Sequence, residues 1–296
     1  MRTEGGRESS NVEDRRDQSY SGGGRGGMPL LGGKLGLGTI VIALVASWLL
    51  GINPMTVLSL LSGGDVAAPV RQSQAPAQAP PKDDALARFV SIVLADTEDV
   101  WKDLFARAGK QYVEPKLVLF RGTTPTACGA GEAAMGPFYC PPDQKVYIDL
   151  SFYEEMKTRF RAPGDFAQAY VIAHEVGHHV QNLLGIAAKV DAMRRKVSER
   201  DANALSVRME LQADCFAGVW AHHANRARQI IESGDIEEAL NAATAIGDDT
   251  LQRDAGRAVR PDSFTHGSAA QRVRWFKTGI TSGDLRQCDT FAARQL

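Results

Sequence analysis

The chain has 296 residues and no surplus of either charge, with 34 Lys and Arg against 35 Asp and Glu. A net charge of −1 provides no electrostatic footprint for nucleic acid or for a strongly charged ligand. Cysteine is scarce. Cys128, Cys140, Cys215 and Cys288 form no C-x-x-C pair, which argues against a zinc ribbon. No internal repeat is visible. Arg15-Arg16 has no apolar run close behind it, so a twin-arginine export signal is set aside. Long apolar runs are also missing, with one exception.

That exception is Leu35–Ile52, 18 residues without a charge, and the uncharged span continues to Gly64 past Asn53-Pro54. About 20 apolar residues cross a bilayer core. The run starts too far along the chain for a cleaved signal peptide, so residues 35–61 are expected to form one transmembrane anchor. Residues 1–34, rich in Gly, Ser, Arg, Asp and Glu, are expected to be a disordered cytoplasmic tail. Arg2, Arg7, Arg15, Arg16, Arg25 and Lys34 on that flank outnumber the basic residues just behind the run, which puts the N-terminus in the cytoplasm. Residues 62–83 read as a Pro/Ala/Gln-rich linker, and 84–296 as a folded domain outside the cytoplasm, where the cysteines can oxidise.

Within 84–296 the apolar spacing switches between helix and strand periods. Leu86, Phe89, Val90, Val93 and Leu94 predict a first helix, capped by Asp83 or Asp84. Lys116–Phe120, Phe138–Cys140 and Lys145–Asp149 predict strands, and 121–137 a loop. Helices are expected after Ser151, at about 165–184 with Gly185 as the stop, and at 190–224 with a break near 200–204. Two helical segments broken at Gly234-Asp235 are expected within 230–245, and one more helix at 268–280. The class is α+β, a helical domain with a small β-sheet.

The chemistry concentrates in His174-Glu175-Val176-Gly177-His178. Two histidines at i and i+4 project from one helix face and can reach one Zn²⁺. Glu175, rotated about 100° from the first histidine, is placed to act as general base toward water at the metal. Gly177 is read as leaving space beside the metal. The third ligand expected is Glu210, with Asp214 one turn on to accept the remaining N–H of a ligating histidine. The alternative H-E-x-x-H-x-x-G-x-x-H pattern fails, because position 184 is Leu. His179 is assigned to the surface or to ligand support, and His222-His223 to the surface.

Together with Glu210-Leu-Gln-Ala-Asp-Cys-Phe-Ala-Gly218, the stretch His174-Glu-Val-Gly-His-His-Val-Gln181 resembles the bacterial neutral zinc metallopeptidases, membrane-anchored members of the gluzincin group. Gly136-Pro-Phe-Tyr-Cys-Pro141 and His266-Gly-Ser268 with Gln271-Arg-Val-Arg-Trp275 extend the resemblance over most of the chain. It implies a zincin (minigluzincin-like) fold, a zinc cofactor and a protein or peptide substrate. It also implies a single-pass protein of the inner (cytoplasmic) membrane with a periplasmic catalytic domain. By analogy with gluzincins, Lys145, Val146, Tyr147 and Ile148 would form an edge strand that binds substrate. His266 would stabilise the transition state, with Tyr139 and Tyr147 as alternative donors. Pairing neighbours in sequence gives disulfides Cys128–Cys140 and Cys215–Cys288, and the other two pairings stay open.

The expectation is a zinc metalloendopeptidase acting on extracytoplasmic proteins or peptides, with no nucleic-acid partner and an oligomeric state the sequence does not specify. Two rivals differ in class. One is a zinc-stapled envelope scaffold without turnover, in which Glu175 would have no purpose. The other is a zinc amidase acting on peptidoglycan.

Overall fold

The computed structural model describes residues 1–18 and 78–296; the expected anchor at 35–61 and most of the linker at 62–83 lie outside them. Among the described residues no helix is long and apolar enough to cross a membrane. In chain order the strands are β1 Val12–Asp14, β2 Lys116–Phe120, β3 Thr123–Thr126, β4 Gly129–Glu132, β5 Phe138–Cys140 and β6 Lys145–Asp149. The α-helices are α1 Ala85–Arg107, α2 Ser151–Thr158, α3 Asp165–Leu183, α4 Ile186–Arg194, α5 Glu199–Arg228, α6 Asp235–Ala245, α7 Asp248–Asp254 and α8 Ala269–Ser282. The mixed α+β class is as the periodicities imply.

The main sheet runs β1-β2-β6-β5, with β5 antiparallel to β6 and the other pairs parallel. Strand alternation sends Leu117, Leu119, Val146 and Ile148 into the helical core. Val118, Phe120, Tyr147 and Cys140 pack together on the other face. The pair β3–β4, hidden in a Gly- and Thr-rich stretch read as loop, forms a separate two-stranded sheet. The Cys128–Cys140 disulfide ties it to β5.

The register corrects one expectation. Lys145–Ile148 belongs to β6, which is hydrogen-bonded on both sides, to β2 and to β5. Its backbone is therefore not free to pair with a substrate. The edge of the sheet at this end is β5.

The first 18 residues are a second correction. They do not form a disordered tail: β1 pairs with β2, and Met1 and Val12 are buried in the main core. Composition made the segment look solvated because several of its charges find partners far away in sequence. Glu13 meets Arg15, Lys116 and Lys145, while Arg7 meets Glu98 and Asp99, and Arg16 meets Asp14 and Asp84. Gln78 accepts from Asp14 N at 2.7 Å, so the chain is already docked ahead of α1. Residues 1–18 and 78–296 belong to one compact unit. The N-terminal segment thus packs with the folded domain, whereas the sequence reading puts the two on opposite sides of a membrane. Arg2, Arg7, Arg15 and Arg16, counted above as orienting charges, are ion-paired within this unit.

The helical layer is built on α3, α5 and α8. Helices α5 and α8 meet at backbone contact. A Cβ on Gly218 would lie 2.3 Å from Phe276 O, and one on Gly279 would lie 2.0 Å from Cys215 O. The Cys215–Cys288 disulfide joins α5 to the turn after α8. Around this axis Trp101, Trp220, Phe166, Tyr170 and Phe276 are fully buried, with Phe166 stacked on Trp220 at 6.0 Å. Helix boundaries differ from expectation at three places, the first being 230–245, where a single helix starts at Asp235 and no helix precedes it within that stretch. The break before α5 falls at 195–198, where Ser198 caps the helix, and α7 follows α6 as a separate short helix.

Candidate metal centre

Helix α3 owes its position to an apolar stripe. Phe166, Tyr170, Ala173, Val176 and Val180 are buried, so the polar residues between them are carried into the interior. Glu238 accepts from Phe166 N at 3.1 Å and closes the start of the helix. Gly185, at φ 73°, ends it in the left-handed region. Gly177 serves a different purpose from the one read in the sequence. A Cβ there would sit 3.1 Å from Ala213 O and 3.2 Å from Ala213 Cα. Its lack of a side chain therefore lets α3 approach α5, which brings Glu210 to the histidines.

Nε2 of His174 lies 3.2 Å from Oε2 of Glu210, and Nε2 of His178 lies 3.4 Å from Oε1. One donor atom from each of the three residues falls within 4.8 Å of the others. The opposite ring nitrogens are both engaged. Nδ1 of His174 is 2.8 Å from Asp214 Oδ1, an obligate acceptor when ionised. Nδ1 of His178 is 2.9 Å from Gln181 Oε1. The Gln181 amide nitrogen donates to Met209 O and Gln212 Oε1, which turns its oxygen toward His178. Both Nδ1 atoms therefore carry a proton, and both Nε2 atoms face the Glu210 carboxylate, so a proton or a metal ion can lie between each Nε2 and that carboxylate. A carboxylate and two imidazole nitrogens at these distances hold a proton or a metal ion among them, and the two-His, one-carboxylate set fits a divalent metal of the zinc type.

The electrostatics point the same way. Burial lowers the His174 pKa, but the Asp214 and Glu210 carboxylates outweigh it and raise it to about 10. Burial would raise Glu210, yet the two histidines hold it well below the ordinary carboxylate range. The site attracts positive charge, and a metal entering it displaces protons from the imidazoles. Glu175 is not one of the three donors. It is buried, and burial pushes its carboxyl upward.

Asp214 is itself held from several directions. Tyr170 Oη donates to Oδ1 at 2.5 Å, and Arg272 donates to both carboxylate oxygens at 2.9 Å. Asp214 and Arg272 are both buried. Arg272 thus pairs with Asp214 from α8.

A cleft of about 680 Å³ opens over the donors, and His174, Glu175, His178, Glu210, Tyr139 and His266 are among its lining. His266 lies at its rim, with its side chain half exposed. Asp248 accepts from the backbone N–H groups of Thr265, His266 and Gly267 at 2.8, 2.7 and 3.0 Å, and lies 3.2 Å from His266 Nδ1. That hydrogen bond raises the His266 pKa. Tyr147 is not brought to the cleft, and its hydroxyl donates to Asp143. Tyr139 lines the cleft from β5, but its hydroxyl is committed to His179. His179 is fully buried rather than at the surface. His222 and His223 are half-buried and reach the backbone carbonyls of Ile280 and Gly283.

Sequence reasoning missed Tyr170, Gln181 and Asp248. Tyr170 stands four residues before His174 and Gln181 three after His178, so helical spacing could have found both. Asp248 carried no such signal.

A zinc-type donor set in a cleft of an α+β domain defines a candidate metallohydrolase. The chain belongs to the family described as "Putative neutral zinc metallopeptidase", whose profile it matches over residues 1–291. It is 53% identical over 294 residues to "Uncharacterized protein YpfJ" of Escherichia coli (strain K12), covering 98% of this chain and 99% of that protein. It is 42% identical over 223 residues to "Uncharacterized protein Rv2575" of Mycobacterium tuberculosis (strain H37Rv), covering 71% and 73%. No solved structure matches significantly.

Proposed function

We propose that this protein is a zinc-dependent endopeptidase in which His174, His178 and Glu210 hold the metal and Glu175 is the general base. The observation that carries the reading is the convergence of three donor atoms within 4.8 Å, under a cleft that Glu175 lines without being one of them. Bound there, zinc supplies Lewis acidity toward the scissile carbonyl and toward water. Glu175 takes the proton of the attacking water and returns it to the leaving amine. Its buried setting, which raises its proton affinity, favours that exchange. His266, as the imidazolium that its Nδ1–H···Asp248 bond favours, offers Nε2–H to the carbonyl oxygen as charge develops. The free edge of β5 binds an extended peptide by strand addition, in place of the interior strand first assigned that role.

Among the described residues no fourth protein donor joins the three, whereas structural zinc sites are closed by four. This favours an enzyme over a zinc-stapled scaffold. The disulfides Cys128–Cys140 and Cys215–Cys288 support an oxidising compartment outside the cytoplasm. The test is Glu175→Gln, assayed on casein and on cell-wall fragments with and without chelator. Proteolysis should fall by roughly 10²–10⁴-fold with zinc still bound. A variant that keeps both its zinc and its activity would defeat the mechanism.

A further inference from the structure

Behind Tyr139, which lines the cleft, runs a chain of hydrogen bonds that the chemistry at Glu175 does not use. It starts at Val113 O, 2.7 Å from Nε2 of His179. A carbonyl only accepts, so Nε2 carries the proton and Nδ1 of His179 is the acceptor. Tyr139 Oη, 2.9 Å from that Nδ1, therefore donates to it. The same phenolic oxygen accepts from Asn182 Nδ2 at 3.1 Å. Each polarity is determined by the one before it, and reversing any bond would strand a polar atom. Tyr112 and Tyr139 pack edge-on against the buried imidazole at 5.8 and 5.4 Å.

The two ends of this chain matter. His179 directly follows the donor His178, and Asn182 stands one turn further along α3. Tyr139 is the central residue of β5, the edge strand beside the cleft. The Tyr139 hydroxyl thus spans from the edge strand to the helix that carries both histidine donors. We infer that Tyr139, His179 and Asn182 are positioning residues that set the height and register of the β5 edge over the metal donors. The alignment of an extended peptide's scissile bond depends on them, and this rests on reading β5 as the substrate edge. A misplacement of about 1 Å at a reacting centre can cost about 10²-fold in rate.

The test is Tyr139→Phe in the full zinc-loaded chain, with kcat and KM measured on peptides of increasing length, and zinc affinity by chelator competition. The loss in kcat/KM should grow with peptide length, approaching about 10²-fold for peptides long enough to lie along β5, while zinc affinity stays within about twofold. Peptide affinity measured in a Glu175→Gln background should fall in parallel. Equal losses at every length, or none, overturn the proposal. So does a loss accounted for by zinc release. If Tyr139→Phe does not fold, Asn182→Ala, at the half-buried end of the chain of bonds, takes its place with the same expectation and a smaller effect. A wild-type chain that cleaves peptides while the variant matches it overturns the positioning role alone. A zinc-loaded wild type that cleaves no peptide overturns the peptidase reading with it.

Discussion

Replacing Asp214 by Asn probes how the metal donors are held. The carboxylate is fully buried and accepts from Tyr170, from His174 and twice from Arg272, at 2.5–2.9 Å. Asn keeps the shape but removes the charge, leaving the Arg272 guanidinium buried without its counter-ion. Breaking a buried ion pair in this way costs about 3–5 kcal/mol. For a domain of this size that is a fall of roughly 6–20 °C in the unfolding midpoint. The second effect is on the metal. His174 loses the anionic acceptor that fixes its tautomer, and zinc affinity should drop about 10–100-fold. Thermal unfolding in chelator isolates the first effect, and competition with a chromogenic chelator isolates the second. Asp214→Asn with Arg272→Met should recover part of the stability, because the stranded cation is gone, but none of the zinc affinity. An Asp214→Asn chain that matches the wild type in chelator, within about 1 °C, would refute the reasoning.

Other expectations can be checked separately. Gly177→Ala forces α3 from Ala213 by a few tenths of an ångström. Zinc affinity should weaken about tenfold, while stability in chelator changes little because alanine favours the helix by about 1 kcal/mol; unchanged zinc affinity would disprove the close-approach role. Single cysteines at the exposed positions Glu4 and Arg257 should react with a membrane-impermeant maleimide in the same preparations of whole or permeabilised cells. Labelling on opposite sides would contradict the pairing of β1 with β2. Burial would raise the Glu13 carboxyl, but Lys145, Arg15 and Lys116 hold it at about 2. Its folded pKa is depressed, so its stabilisation is present above about pH 4.5 and is lost as pH falls toward 2. The amount is at most about 3 kcal/mol before solvent screening reduces it. Glu13→Gln should flatten this acid limb of a stability–pH curve, and an unaltered limb would count against it.

The candidate donor cluster was legible because helical spacing is a local property. His174, Glu175 and His178 must share a helix, and Glu210 and Asp214 lie one turn apart on another, so the donors and their support could be named from the chain alone. The class of fold and most of the helices followed from apolar periodicity for the same reason. Which strand lies at the edge could not be read that way. Phe138–Cys140 and Lys145–Asp149 both read as short strands, and only the pairing of β6 with β2 makes one interior and the other free. Nor could the fate of residues 1–18, whose charges look solvated until Glu98, Lys116 and Lys145, about a hundred residues away, come to meet them. Gly177 and Arg272 belong to the same category. The sequence by itself determined what could bind a metal, since ligand type and local period are properties of a few neighbouring residues. Tertiary structure alone decided what surrounds those ligands, because each such contact joins segments that only packing brings together.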